Sequence, residues 1–330
     1  MVKAPLYPLR FEPILKRTIW GGNKILSLKN LELNAESIGE SWELSGVQDN
    51  VSVVSDGYLK GMSLNDIILK YKEIFLGETV YQRYGNQFPL LLKFIDASQD
   101  LSIQVHPDDE VARKHRQNNG KTEFWYVIDA EEGSFLYAGL SKNSTPEEIK
   151  AAVESGEVCD LLNKEDVSSG DAYFLPAGRV HAIGAGLLIA EVQQTSDATY
   201  RLYDYNRVDA NGKPRELHLD KALESIDYKV YRNYKTTYNK NRMCKPILLK
   251  ECGYFTINLL TADTFVKFDY KGLDSFVAFM CVEGSAVFTS QRKCNGKISA
   301  GETILFPACD LPSAIIPENE RVKLLEVYIK

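Results

Sequence analysis

Gln104 and His106 stand two residues apart in Leu101-Ser102-Ile103-Gln104-Val105-His106, and Lys121, Glu123 and Trp125 repeat that spacing in Lys121-Thr122-Glu123-Phe124-Trp125-Tyr126-Val127-Ile128. Extended chain has a side-chain period of two. Ser102, Gln104 and His106 then share one face, opposite Leu101, Ile103 and Val105, while Lys121, Glu123 and Trp125 share a side of a second strand. An amide oxygen, an imidazole and a carboxylate brought together are hard and borderline donors for a metal ion. Thiolates are poor candidates: the six cysteines are irregularly spaced with no CxxC pair, which suits reduced structural thiols rather than a disulfide framework or a thiolate zinc site. His115 and His218 read as solvated surface residues.

A chain of 330 residues with 44% hydrophobic residues exceeds the usual single-core size and favours two domains. Its net charge of −6 comes without a block of Lys and Arg, so nucleic acid is not an expected partner. The start, Met1-Val2-Lys3-Ala4-Pro5-Leu6-Tyr7-Pro8, lacks a continuous apolar core, and no run of about 18 apolar residues occurs, so neither export nor a membrane partner is expected. The cytoplasm is the expected location.

Around the candidate donors the pattern is mainly β. Ser63 to Gly77 reads as one capped amphipathic helix covering a sheet. Pro89–Asp96 and Leu101–His106 read as neighbouring strands, and Pro107 at a first-turn position opens a helix reaching about His115, which gives Asp108, Asp109 and Glu110 a structural explanation. A second helix starts at Asn143–Lys150 and continues with breaks to about Asp166, an insertion between strands. Strands follow at Leu187–Gln194 and Thr199–Tyr205, and the rhythm of short strands and glycine turns points to a β-barrel or jelly roll. In Gly39-Glu40-Ser41-Trp42-Glu43 the alternation puts Trp42 and Glu43 on opposite faces, with Trp42 in the core.

Tyr228 to Pro246 is polar and tyrosine-rich, and reads as a connection between halves. The boundary is expected at 235/236, with a metal-binding unit at 1–235 and a second all-β unit at 236–330. Gly301-Glu302-Thr303-Ile304-Leu305-Phe306-Pro307-Ala308 repeats Gly170-Asp171-Ala172-Tyr173-Phe174-Leu175-Pro176-Ala177 at an offset of 131 residues. At that offset Pro312 replaces His181, and no histidine follows His218. The second unit is therefore expected to lack a metal and to fill its interior with side chains such as Phe288, Ile304 and Phe306.

Gly170 to His181 resembles the second motif of the cupin superfamily, Gly-Asp-x-x-x-x-Pro-x-Gly-x-x-His. The match narrows to the type I mannose-6-phosphate isomerases of the short bacterial form through Leu101–Asp109, Lys121–Tyr126, Pro176–Gly184 and Ser196–Tyr205, with Trp20-Gly21-Gly22 and Gly39–Glu43 in support. It is strong from Trp20 to about His218 and architectural beyond. The fold this resemblance implies is mainly β, two cupin-type jelly-roll barrels with a helical insertion in the N-terminal half.

By the same resemblance Gln104, His106, Glu123 and His181 hold one Zn²⁺ per chain, Arg201 is the active-site arginine, and Ser102 and Lys121 face the phosphate end of the substrate. A hydroxyl and a point positive charge suit a phosphate monoester. The implied activity is a zinc-dependent aldose–ketose isomerase that interconverts mannose 6-phosphate and fructose 6-phosphate through a cis-enediol(ate). Longer enzymes have Asn-His-Lys-Pro-Glu where this chain has Asn119-Gly120-Lys121-Thr122-Glu123, so that histidine has no counterpart here. The base is left open among Lys121, a metal-bound water and Glu43. Arg201 has a structural alternative, an ion pair with Asp204 or Asp197. Two other readings remain: a cupin dioxygenase using the same donor types around Fe(II), and a non-catalytic bicupin that needs no Arg201 with Lys121. Oligomeric state is open.

Overall fold

The structure is a computed structural model that describes residues 6–32, 37–208 and 212–330. Most of the opening stretch read for a leader lies outside the described residues. Four antiparallel sheets make up the β structure described. A six-stranded and a five-stranded sheet lie between Ile14 and Tyr203, and a five-stranded and a four-stranded sheet between Ile247 and Tyr328.

Alternation along the strands explains how these sheets stack. In Leu90–Ala97, Leu92 and Phe94 belong to one core and Ile95 to another; in Leu187–Gln194, Ala190 and Val192 face the first core and Leu187 and Ile189 the second. The first core also takes Leu325 and Val327 from the C-terminal half, whereas Leu324 faces a separate C-terminal core. The two large sheets thus pack against each other, and each carries a smaller sheet on its far face. Both faces are apolar, so these central strands read as nearly continuous hydrophobic runs.

Several expected elements hold with adjusted ends. Leu187–Gln194 is a strand over its whole expected length, paired in register with Leu90–Ala97. The repeat is real in three dimensions: Ala172–Leu175 and Thr303–Phe306 are equivalent edge strands at the same offset of the sequence repeat. The C-terminal interior is filled by Phe268, Phe279, Phe288, Ile304 and Phe306, as expected from the residue pattern.

Other expectations need correction. The Ser63–Gly77 helix is broken: Leu64–Tyr71 is capped by Ser63, then Lys72 adopts φ of +49° and a separate turn runs over Glu73–Leu76. Pro107 precedes the following helix rather than entering it, because Asp108 is the cap, accepting from the backbone of Glu110 and Val111. Leu162–Asp166 is a strand, not the tail of the Pro146–Ser155 helix, which ends at Gly156 in the left-handed region. The strand carrying Gln104 is only Ile103–Val105, and Leu101 packs into a different core from Ile103 and Val105. The alternation assumed from Leu101 therefore begins two residues later.

Candidate active site

The interior face of the first barrel gathers the donors from both of its sheets. In the smaller sheet Arg201 is opposite Gln104, and Gln104 is opposite His181, so three strands place these residues in one row. Glu123 comes from the larger sheet, where it is opposite Gln193 and Leu175. His106 follows the Ile103–Val105 strand, its carbonyl accepting the Gly178 N–H at 2.8 Å.

Both imidazoles are oriented by the backbone. His106 Nδ1 lies 2.8 Å from the Ala198 carbonyl and His181 Nδ1 lies 2.8 Å from the Arg179 carbonyl. A carbonyl only accepts, so each Nδ1 carries the proton and each Nε2 presents a lone pair. Those two Nε2 atoms are each 3.2 Å from a Glu123 oxygen, His106 from Oε2 and His181 from Oε1. The donor atoms of His106, Glu123 and His181 all lie within 4.8 Å of one another. The Gln104 amide stands beside them, its Nε2 3.3 Å from His181 Nε2; a half turn of the amide presents its oxygen instead.

Electrostatics agree with this donor set. Burial, with the Lys121 ammonium beside it, pushes the His106 imidazole down to about 3, and burial lowers His181 as well, so both rings are neutral at ordinary pH, the form that can ligate a metal. Burial alone would raise Glu123, but Lys121 and the two histidines hold it well below the usual carboxylate range. Glu123 is 1% exposed, and neither of its oxygens accepts a well-directed hydrogen bond among the described residues, although Lys121 Nζ lies 2.9 Å from Oε2. An ionised, buried carboxylate left in this state fits a cation site.

Lys121 lies inside this cluster. Its ammonium is 2.9 Å from His106 Nε2 and 3.7 Å from Glu191 Oε1. It therefore stands with the ligand atoms, a setting at odds with the phosphate-end position implied by the resemblance. Ser102 is elsewhere, accepting from Arg201 Nε at 3.2 Å, while Arg201 Nη1 donates to the Glu216 carbonyl at 2.8 Å. Of the two structural partners weighed for Arg201, Asp204 is taken by Arg215, at 2.7 Å from its Nε, and by Arg207, and Asp197 makes no salt bridge with Arg201 among the described residues.

Sequence reading missed a buried charged row behind Lys121. Glu191 is 3.5 Å from Lys93, and Lys93 is 3.3 Å from Glu40. Burial and the neighbouring Glu123 push the Glu191 carboxyl up to about 7. Cross-strand pairing held the missing signal, since Glu191 is opposite both Lys93 and Trp125. Parity also corrects the candidate base: Glu40 and Trp42 face the site, whereas Glu43 lies on the other face, bound to Lys29 at 2.7 Å and to Ser41. Asp109 does more than start a helix, accepting from Gly120 N at 2.8 Å, beside Lys121, and from Tyr254 of the second half at 2.9 Å. His218 is not a free surface residue either; its Nδ1 accepts from the Arg201 backbone at 3.3 Å.

Residues 9–138 match the family model for the phosphomannose isomerase type I catalytic domain. The mannose-6-phosphate isomerase ManA of Bacillus subtilis is 40% identical over 252 residues, covering 76% of this chain and 78% of its own. The chain belongs to the type I mannose-6-phosphate isomerases. A Streptococcus mutans mannose-6-phosphate isomerase is 35% identical over 76% of this chain and 77% of its own. The crystal structure of the Bacillus subtilis mannose 6-phosphate isomerase superposes with a TM-score of 0.87 at 31% identity, over 98% of this chain and all of that one. A phosphomannose isomerase variant from Salmonella typhimurium shares the fold, with a TM-score of 0.79 at 18% identity. The match to the type I family model ends before His181 and Arg201.

Proposed function

We propose that this type I isomerase interconverts mannose 6-phosphate and fructose 6-phosphate in the cytoplasm, with one Zn²⁺ per chain held by Gln104, His106, Glu123 and His181. The observation that carries the reading is the buried meeting of two imidazoles, each with Nδ1–H on a backbone carbonyl, and a carboxylate without a well-directed hydrogen bond. Imidazole nitrogen and carboxylate oxygen are ordinary zinc ligands, and a neutral amide oxygen completes the set without adding charge. When bound, Zn²⁺ supplies a Lewis acid for the sugar's oxygens.

The remaining roles belong to side chains. Arg201, anchored through Nε and Nη1 with no carboxylate partner among the described residues, offers a fixed positive charge to an enediolate oxyanion. Ser102 orients that guanidinium and contacts the substrate. Once Lys121 Nζ and Glu191 Oε1 close to hydrogen-bond distance the lysine passes a proton to the carboxylate; the amine then takes the proton from C2, beside the C1 carbonyl, and returns it to C1, while the hydroxyl proton passes from O2 to O1. The contact of Lys121 with Glu191 at 3.7 Å and its burial, at 5% exposure, support this assignment. His106 Nε2 has one lone pair, so as a ligand it would no longer accept from Lys121, whose ammonium would keep Glu191 as a neighbour.

The division into a 1–235 catalytic unit and a 236–330 supporting unit is part of the same proposal, with Tyr238 and Lys240 reaching back across it to Gly170 and Asp171. A coupled assay on mannose 6-phosphate tests the whole reading. Activity is expected to vanish on chelation and return with Zn²⁺; full activity in a zinc-free protein would overturn it.

A further inference from the structure

We propose that the segment from Asp227 to Tyr234 is a strap that fixes the metal-facing pose of His181, with Arg179 as a positioning residue. This rests on the reading of His106 and His181 as zinc ligands. At Nδ1 the His181 ring is oriented by its hydrogen bond to the Arg179 carbonyl at 2.8 Å, while its Nε2 lies 3.3 Å from the Gln104 amide, so whatever holds Arg179 acts on the pose of the ligand.

Two rings of the strap and one carbonyl outside it hold Arg179. The Arg179 guanidinium lies in the corner formed by two rings, 4.8 Å from the Tyr231 centroid and 4.9 Å from that of Tyr234, with the rings 6.1 Å apart and inclined at 71°, while its Nη1 donates to the Phe174 carbonyl at 2.9 Å. Tyr234 is itself fixed: its hydroxyl donates to the Leu140 carbonyl at 2.9 Å and accepts from Tyr231 N at 3.1 Å. Its ring lies so close to Gly139 that a Cβ there would come within 2.3 Å of it, and Gly139 follows Ala138, the residue opposite His181. Tyr231 donates to the Asp227 carboxylate at 2.6 Å, and Asp227 N donates to the Gly178 carbonyl at 2.7 Å.

Gly178 closes the arrangement, because its own N–H donates to the His106 carbonyl at 2.8 Å. One short turn, Gly178-Arg179, therefore touches the backbone of one proposed ligand and the ring of the other. A planar guanidinium set against two aromatic rings and hydrogen-bonded to a carbonyl is fixed in orientation in a way that an ammonium is not. The strap thus sets zinc affinity through backbone carbonyl placement without contacting the metal.

Zinc affinity of the metal-stripped, full-length protein, measured by competition with a chromogenic chelator, tests this. Tyr231→Leu and Arg179→Lys are each expected to weaken zinc binding by about 10–100-fold, the range typical of outer-shell partners, with the melting temperature of the metal-free protein unchanged. Tyr231 is 41% exposed, so Tyr231→Leu decides the matter if Arg179→Lys proves unstable. His181→Ala is the reference. Loss of zinc in His181→Ala with unchanged affinity in the two strap variants would overturn the strap alone; unchanged affinity in His181→Ala would overturn the ligand assignment beneath it. A parallel fall in melting temperature and affinity in both strap variants would reduce the strap to a structural element and also overturn the proposal.

Discussion

The two barrels repeat one scaffold with opposite interiors. In the first, Glu123 is opposite Leu175; in the second, the residue opposite Phe306, the repeat equivalent of Leu175, is Val277. Trp125 is opposite Tyr173 as Phe279 is opposite Ile304, and Pro312 begins the strand that His181 begins in the first barrel. Two substitutions in equivalent places, Val277 for Glu123 and Pro312 for His181, thus exchange donors for hydrocarbon. Glu191 has an equivalent in Glu326, since each is opposite the corresponding aromatic, Trp125 or Phe279. Yet Glu326 is sealed by Asn258 at 2.6 Å and by the Tyr270 hydroxyl, whereas Glu191 keeps an oxygen with no hydrogen bond. A buried carboxylate whose lone pairs are filled is structure; one left open beside a lysine is available for chemistry.

Matched truncations give the largest contrast. His106→Ala is expected to abolish isomerase activity and zinc binding with little loss of fold, because the residue it removes serves the site. Phe279→Ala in the second barrel should instead cost about 3–5 kcal/mol of stability, as for other large core truncations, while the folded fraction keeps its zinc. Paired denaturation and zinc assays read both, and equal effects of the two substitutions on stability would erase the distinction between the interiors.

Within the first barrel, Arg201→Lys keeps a charge but loses the planar fork, and kcat should fall on the order of 10²-fold or more, comparable to removing one oxyanion donor. Lys121→Ala should also act mainly on kcat, since its ammonium stands among the ligand atoms. Steady-state kinetics at saturating zinc separate the cases; a Lys121→Ala enzyme altered only in KM would return that lysine to the phosphate end.

Smaller effects come from pH. With His106 held down to about 3, the unfolded chain binds a proton below about 6.5 that the folded chain refuses. The metal-free protein is therefore fully stabilised by this group above 6.5 and loses about 1.4 kcal/mol per pH unit as pH falls toward 3. His106→Ala should flatten that limb in denaturant titrations. Glu191 has the opposite sign: with its pKa up at about 7, stability is lost as pH rises from the ordinary carboxylate range to 7, so Glu191→Gln should be more stable than the parent at pH 8. No gain at pH 8 would place that carboxylate in a more polar setting than its burial implies.

Much of this contrast was legible in the sequence because it is local. The period of two aligned Gln104 with His106, and the repeat at 131 residues located both edge strands and the loss of His181 to Pro312. What was hidden depends on pairing between distant strands. Glu191 and Lys93 lie far apart in sequence in unremarkable apolar runs, and only the antiparallel register sets them side by side. Glu43 was misjudged as a candidate base because its neighbour Glu40, at opposite parity, is the carboxylate that faces the site. The tyrosine-rich stretch reads as a connection because contacts of its rings with the Arg179 guanidinium carry no periodic signal.

The central claim, that the first barrel holds the metal and the second supports it, is tested most directly by anomalous diffraction at the zinc edge from crystals of the zinc-loaded protein. One peak per chain is expected, about 2.0–2.2 Å from His106 Nε2, His181 Nε2 and a Glu123 oxygen. A second full-occupancy peak within residues 246–330, or a single peak away from His106 and His181, would contradict it.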